Sequence, residues 1–257
     1  MDPPSKQVAG IRNEEDLLSL ALADLPSFSR WPLGYTGETE LWKCQIQWQE
    51  LIQEMYQDKQ ADSERPHLIL LAPSEHGKTN GMVIPFLLWA LCNNRNLRVI
   101  VVGSKDEFAE QIGNAIDRIV VRNADKLAKF GLIPSYPWNV QQKFFQRDSD
   151  HLVHPSILLA GIDSELQGQR ADIIVCTDLF TRKNARSPES RAKTLDWFFH
   201  TLFPRLEPGG FILMEGHHVN SEDGYTELED DERFKTVKFK AVFDEPSEAN
   251  HGKGKIL

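Results

Sequence analysis

The chain has 257 residues, 40% of them hydrophobic, and a formal net charge of −9 at pH 7. This size is sufficient for one substantial hydrophobic core, and the negative charge excludes a protein that wraps nucleic acid through overall basicity. The sequence contains neither a long apolar run nor a signal-peptide layout, so we expect a cytosolic protein that does not span a membrane. Cys44, Cys92 and Cys176 are widely spaced, which favours buried free thiols over a disulfide framework or a zinc site.

The first third of the chain carries two helical patterns. Residues 1–10 have the composition of a loose tail, and a helical spacing of apolar residues begins behind Asn13, which is a typical capping residue. Residues 36–59 repeat this spacing over a longer span. The segment 26–37 between them is aromatic and rich in turn residues, so it predicts a packed loop.

From residue 67 onward, apolar runs alternate with helical patterns, which is typical of a mainly parallel sheet with helices on both faces. The predicted strands are 67–73, 97–103, 156–162, 171–177 and 211–216, with a sixth candidate at 236–243, and the predicted helices are 78–94, 105–121 and 187–206. We expect a three-layer α/β/α sandwich over 40–244. Residues 1–39 then form a tail, a helix and a packed loop, and 245–257 a linker or frayed end.

A phosphate-loop pattern lies between the first predicted strand and the following helix. The segment "APSEHGKT" has an Ala followed, after four residues, by Gly-Lys-Thr. In such loops backbone N–H groups and a helix N-terminus bind phosphates, the lysine reaches the outer phosphates and the hydroxyl binds Mg²⁺. We therefore predict a nucleotide site with Lys78 as phosphate ligand and Thr79 as Mg²⁺ ligand; the alternative is an ordinary strand-to-helix turn. The predicted nucleotide contacts are Ala72, Pro73, Ser74, Glu75, His76, Gly77, Lys78, Thr79 and Asn80.

A second polar cluster follows the predicted strand 171–177. This strand ends at Thr177, and Asp178 comes next. The carboxyl ends of strands border the ligand crevice of open α/β sheets, and nucleotide hydrolases need an acidic residue there to hold Mg²⁺ or to orient water. We predict that Asp178 is this catalytic carboxylate. Its alternative role is to cap the turn that follows.

Two segments together resemble the large terminase subunit of tailed bacteriophages. "LLAPSEHGKT" is similar to that family's Ala-Pro-x-x-His-Gly-Lys-Ser/Thr loop. Residues 168–225 resemble its block that runs from a Gly-x-Arg-x-Asp lead-in through the acidic strand, an Asn-x-x-Ser-Pro-Glu helix start, a Trp-rich helix and a Pro-Gly-Gly turn to a coupling segment. The resemblance covers about residues 40 to 225. It implies an additional-strand, RecA-like P-loop ATPase that uses ATP and Mg²⁺ to power DNA packaging.

The resemblance also implies partners and a location. The implied partners are double-stranded DNA, the small terminase subunit, the portal protein of the procapsid, and sister subunits in a ring, with a monomer expected for the isolated chain. The implied location is the cytoplasm of the host cell. An RNase H-like nuclease domain follows the ATPase domain in this family. Too few residues follow the coupling segment for such a domain, so we expect an ATPase-only chain.

The chain departs from the family pattern at three places. Thr177 stands where the family has the first of two consecutive carboxylates, and we expect it to hold Mg²⁺ weakly because hard cations prefer charged oxygens. Glu75 lies near a position that is often basic, so its charge must turn away from the phosphates. The coupling segment has His217 and His218 in place of Thr-Arg. Side chains alternate along a strand, so only one of these histidines can face the nucleotide.

Three arginines are candidates for contacts with phosphate. Arg170 precedes the acidic strand, and we predict that it senses the γ-phosphate or stabilises charge in the transition state. Its alternative role is a surface ion pair with Asp172. Arg118 and Arg186 are candidate fingers that act on a neighbouring subunit.

The remaining polar and aromatic candidates are weaker. Gln49 lies upstream of the loop, where many ATP motors place a glutamine that reads the edge of adenine, whereas Phe28 and Trp31 are expected to serve packing. His151 and His154 are expected to be solvated loop residues. Two other functions stay open, namely a helicase-like nucleic-acid-dependent ATPase and a nucleotide-binding assembly module with weak or no hydrolysis.

Overall fold

The computed structural model describes residues 13–58, 66–149, 151–220 and 222–240. The predicted tail at 1–10, the predicted linker at 245–257 and the last residues of the sixth candidate strand lie outside these ranges.

The described residues form helices and strands that alternate from residue 67 onward. The helices are Glu14–Ala23 (α1), Leu25–Arg30 (α2), Lys43–Gln57 (α3), Ile84–Asn93 (α4), Asp106–Arg122 (α5), Ala124–Ala128 (α6), Pro188–Trp197 (α7) and Gly224–Glu229 (α8). The strands are His67–Leu71 (β1), Val99–Gly103 (β2), Pro134–Trp138 (β3), Gln142–Phe145 (β4), Ile157–Gly161 (β5), Ala171–Thr177 (β6), Leu206–Gly216 (β7) and Phe234–Lys238 (β8).

All eight strands belong to one sheet, in the order β3-β4-β5-β2-β6-β7-β1-β8. The run from β5 to β8 is parallel, and β3 and β4 join it antiparallel. Every residue of β1 and of β2 is buried, as expected for strands with helices on both faces. The prediction of a mainly parallel sheet is confirmed. The β3–β4 hairpin was not predicted.

The core lies in two layers, one on each face of the sheet. The first layer packs α1 to α5 against one face and contains Trp48 and Trp89. The second packs α7 and α8 against the other face and contains Phe198 and Tyr225. Successive residues of the central strands alternate between the two layers, because side chains alternate across a strand. The three-layer sandwich is confirmed.

Helix α2 falls inside the segment for which a packed loop was predicted. The side chain of Asp24 accepts a hydrogen bond from the Ser27 N–H, and Pro26 lies in the first turn, so this short segment has both helix-start signals. Leu25 and Phe28 are fully buried in the same core layer as α3 and α4. Residues 13–39 therefore share their core with the main domain.

Two predicted helices have different bounds in the structure. Helix α3 begins only at Lys43, and Gly37–Thr39 is a separate 3₁₀ turn. The predicted helix 187–206 ends as α7 at Trp197, continues as a π-helical turn at Phe198–Leu202, and closes with a 3₁₀ turn at Phe203–Arg205. None of the helices in the described part of the chain has the length and apolar character needed to cross a lipid bilayer.

Candidate phosphate-binding site

The predicted phosphate loop connects the carboxyl end of β1 to the helical turns before α4. Gly77 has φ +68°, a left-handed conformation that glycine adopts without strain, and Glu75 has φ +64°. The Gly81 N–H donates to the Gly77 carbonyl over 2.7 Å, which starts the helical turn. A π-helical turn at Thr79–Val83 follows and leads into α4. The N-terminus of this helical segment therefore borders the loop, as anion binding by backbone N–H groups requires.

Lys78 lies inside the loop and is only 6% exposed. Its Nζ donates to the carbonyl oxygens of Ala72, over 3.2 Å, and Pro73, over 3.0 Å. The same Nζ is 4.0 Å from Oε2 of Glu215. The ammonium group is thus held by the loop backbone, beside a carboxyl group from another strand.

Helix α3 contacts the phosphate loop through Gln45. The Gln45 Nε2 donates to the His76 carbonyl over 3.0 Å, and its Oε1 accepts from the Trp42 N–H over 3.0 Å. A Cβ at Gly77 would lie 2.9 Å from the Gln45 amide nitrogen, and one at Gly81 would lie 2.6 Å from it. Both glycines therefore permit the close approach of α3. Gln45 was not among the predicted site residues.

Gln49 does not reach toward a nucleotide in this structure. It is fully buried, its Nε2 donates to the Gly81 carbonyl over 2.6 Å, and its Oε1 accepts from the Ser29 hydroxyl over 3.0 Å. Both ends of the amide are engaged within the protein, so adenine reading by Gln49 lacks support. The predicted packing role of the aromatic residues holds, because Phe28 and Trp31 both make edge contacts with Phe130.

The acidic strand end lies two strands from the loop. The Asp178 side chain follows β6 and is about one third exposed, while Thr177 is fully buried. Asp178 has φ +44°, and its N–H donates to the Glu215 carbonyl over 2.9 Å. Because β1, β7 and β6 are parallel neighbours, their carboxyl ends share one edge of the sheet. The structure thus brings Lys78, Thr79 and Asp178 to the same edge.

Glu215 lies on β7, between the loop and the acidic strand end. Its side chain is fully buried, and neither carboxyl oxygen has a hydrogen-bond partner. Burial, with the nearby Asp178 carboxylate adding to it, raises the Glu215 pKa to about 8, although Lys78 acts in the opposite direction. Glu215 was not among the predicted site residues. Its signal was a lone acidic residue near the end of the apolar run 211–214.

The coupling segment meets this edge through its first histidine. The His217 Nδ1 lies 3.0 Å from Oδ1 of Asp178, whereas the His218 Nδ1 lies 3.2 Å from both carboxyl oxygens of Asp223. Asp223 also accepts from the N–H groups of Val219 and Tyr225, and it caps α8. The two histidines therefore face different partners, as strand alternation predicted. The segment 217–223 connects Asp178 to α8.

The predicted arginines lie farther from the loop. Arg170 immediately precedes β6, and its Nη1 donates to the Pro204 carbonyl over 3.2 Å. The length of β6 separates it from Asp178 by about 26 Å at ~3.3 Å per residue. Arg170 is therefore at the opposite edge of the sheet from the loop of its own chain. Its expected partner Asp172 is instead bound by Arg98, over 2.8 Å.

The other two arginines differ in their surroundings. Arg118 lines a cavity of about 400 Å³ together with Thr79 and Asn80, so it lies on the loop side of the molecule. Arg186 is exposed in the segment after β6. Glu75 is exposed as well, which agrees with the expectation that its charge turns outward.

Within the residues that the structure describes, no three or more His, Cys, Asp or Glu side chains gather into a metal-binding group. Cys44, Cys92 and Cys176 are buried and free, as predicted.

No protein-family model matches the chain. The terminase large subunit of Enterobacteria phage T3 is 26% identical over 215 residues, which cover 78% of this chain and 33% of that protein. The chain resembles large terminase subunits. It spans about a third of the length of this curated relative. The resemblance that the motifs indicated is confirmed.

Two solved structures are similar to the chain at low sequence identity. A DEAD-box helicase bound to single-stranded RNA and UDP-BeF has a TM-score of 0.50 and 13% identity, covering 86% of this chain and 46% of that chain. The large terminase ATPase domain of Thermus phage P74-26 has a TM-score of 0.43 and 9% identity, covering 70% of this chain and 78% of that chain. The helicase likeness and the sheet order together give the predicted RecA-like P-loop fold.

Proposed function

We propose that the chain binds ATP with Mg²⁺, hydrolyses it, and acts as the motor module of a phage large terminase that packages double-stranded DNA into a procapsid. One observation carries this proposal. The loop lysine Lys78 is buried at the same sheet edge at which Asp178 follows β6, two strands from the loop. The relationship to the phage T3 protein supports the assignment to packaging.

The loop residues bind the phosphates in this proposal. The N–H groups around Gly77 and the start of the helical segment attract the phosphate oxygens, and Lys78 supplies a positive charge. In the structure Lys78 donates to two loop carbonyls, which are weaker partners than a polyphosphate. Phosphate binding therefore requires Lys78 to exchange these two hydrogen bonds for charge-assisted ones.

The residues at this sheet edge provide oxygen ligands suited to a magnesium ion. Mg²⁺ in nucleotide sites takes one or two carboxylates together with substrate phosphates, and it prefers oxygen ligands. This edge offers the Thr79 hydroxyl, the Asp178 carboxylate and the buried oxygens of Thr177 and Glu215, which have no hydrogen-bond partners. Bound Mg²⁺ neutralises charge on the phosphates during transfer. Thr79 and Asp178 are the residues that we propose to hold it, with Thr177 in a weaker role.

Asp178 is the carboxylate that we propose to orient the attacking water. The His217 ring at 3.0 Å holds its carboxyl group in place from the side of the coupling segment. Any change in charge or position at Asp178 is thus transmitted through His217 to residues 217–223 and α8. This connection provides a route from phosphate loss to movement of the coupling segment.

The packaging partners follow from the proposed module. We propose that it works in the host cytoplasm as part of a ring, with the small terminase subunit and the portal protein as partners. Arg170, at the opposite sheet edge from its own loop, contributes to hydrolysis in this proposal only by reaching the loop of a neighbouring subunit.

The test combines phosphate release with a packaging assay. We expect phosphate release by the wild-type chain, its loss in Lys78→Ala and Asp178→Asn, and stimulation when procapsid and double-stranded DNA are added with the remaining packaging proteins. Glu207→Gln, a change at the start of β7 where the side chain is bound by Arg98, serves as the control. Stimulation by single strands with strand unwinding would instead support a helicase. Nucleotide binding without phosphate release in the assembled ring would support an assembly module.

A further inference from the structure

Glu215 is a buried carboxyl group that the fold leaves without a hydrogen bond. Both of its oxygens are shielded from solvent, and the nearest cation, Lys78 Nζ, is 4.0 Å away. Buried carboxyl groups in folded proteins are ordinarily paired or hydrogen-bonded. A buried carboxyl group without a hydrogen bond, at the edge of a ligand crevice, indicates a group whose close partner arrives with the ligand.

The sheet register relates Glu215 to the residue at which the chain departs from its family. Glu215 on β7 is the direct register partner of Thr177 on β6. Strand β7 lies between β6 and β1, so Glu215 is one strand nearer to the phosphate loop than Thr177 is. The Thr177 hydroxyl is also buried without a partner. Position 177 at the end of β6 thus lacks a carboxylate, but Glu215 provides one at the paired position of β7.

We propose that Glu215 is the second carboxylate of the nucleotide site and takes the place of the acidic residue that is missing at position 177. It acts from β7 together with Asp178, and it offsets the positive charge of the magnesium ion that accompanies the nucleotide beside Lys78. This inference rests on the proposed function.

Charge and packing favour this role over a purely structural one. The adjacent strands pair regularly around Glu215, yet its carboxyl oxygens lack a hydrogen bond and its ion pair with Lys78 is long, at 4.0 Å. A cation at this sheet edge would give the buried carboxyl group the close partner that the fold does not supply.

The test exchanges the carboxylate between the two strands. The variants are Glu215→Gln, the double variant Thr177→Asp/Glu215→Gln, and the control Glu207→Gln, which lies on the same strand but is bound by Arg98 at its far end. Two quantities are measured for each folded variant. The first is phosphate release, and the second is the ratio of affinities for a non-hydrolysable ATP analogue with and without Mg²⁺.

We expect Glu215→Gln to lower phosphate release by about 10- to 100-fold and to reduce the gain in affinity from Mg²⁺, as loss of a supporting group at a metal site does. The double variant should recover part of the phosphate release and part of the gain in affinity from Mg²⁺, and Glu207→Gln should match the wild type. Glu215→Gln with wild-type values of both quantities would overturn the inference, as would a folded double variant no better than Glu215→Gln. Lys78→Ala distinguishes failure of the Glu215 inference from failure of the proposed function. If Lys78→Ala also releases phosphate at the wild-type rate, the proposed function itself fails.

Discussion

Gln49 provides the sharpest contrast between a structural role and a nucleotide-reading role. In the structure its buried amide ties α3 to Gly81, directly after the phosphate loop, and to Ser29 in α2. Replacing Gln49 with Ala removes both hydrogen bonds without altering any group that faces the crevice. We therefore expect the variant to lose stability while it keeps its preference between nucleotide bases.

The loss of stability in Gln49→Ala follows from the polar groups that lose their hydrogen bonds. Truncation leaves the Gly81 carbonyl as a buried acceptor without its side-chain donor, which costs about 1–3 kcal/mol. The Ser29 hydroxyl retains the Leu25 carbonyl as an acceptor, so its loss is smaller. With the cavity left by the side chain, we expect the free energy of unfolding to fall by about 3 kcal/mol. The melting temperature should then drop by about 6–12 °C.

The assay compares Gln49→Ala with Gln47→Ala, an exposed position on the same helix. Urea unfolding followed by tryptophan fluorescence measures stability, and titration with ATP and GTP analogues measures base preference. A Gln49→Ala protein as stable as Gln47→Ala, with a weakened preference for ATP, would refute the structural role and restore the adenine-reading role.

Three further predictions concern packing, protonation and thiol reactivity. Gly216→Ala should lower the free energy of unfolding by about 1–3 kcal/mol in thermal unfolding, because a Cβ there overlaps the buried Tyr225 hydroxyl. The stability of the nucleotide-free protein should fall as pH rises from 4.5 to about 8, because folded Glu215 keeps a proton that the unfolded chain has released. Chemical unfolding across this pH range should show a smaller fall in stability for Glu215→Gln than for the wild type. Burial raises the pKa of the Cys92 and Cys176 thiols, so both should resist alkylation until the protein unfolds, as mass spectrometry can check.

The architecture was predictable because its signals are local. Apolar runs such as the one in β1 are bounded by turn residues and alternate with helical periods, so strand existence and sheet type follow from the sequence. The β3–β4 hairpin carries a weaker signal. Most of the residues of β3 are partly or fully exposed, so the hairpin lacks the continuous apolar run of the central strands.

The site was predictable only where its residues belong to local motifs. The phosphate loop and the acidic strand end are contiguous patterns, and the structure brings them to one sheet edge. Glu215 was missed because its closeness to Lys78 depends on β7 lying between β1 and β6, and strand order is a non-local property. Gln49 was assigned to adenine because its sequence position says nothing about which neighbours take up its amide.

A crystal structure with a non-hydrolysable ATP analogue and Mg²⁺ tests the central claim most directly. The account predicts that the triphosphate lies along residues 72–79, with the Lys78 Nζ bonded to its outer phosphates and Asp178 on the side of the γ-phosphate. An analogue bound elsewhere, with Lys78 still donating to the Ala72 and Pro73 carbonyls, would contradict it.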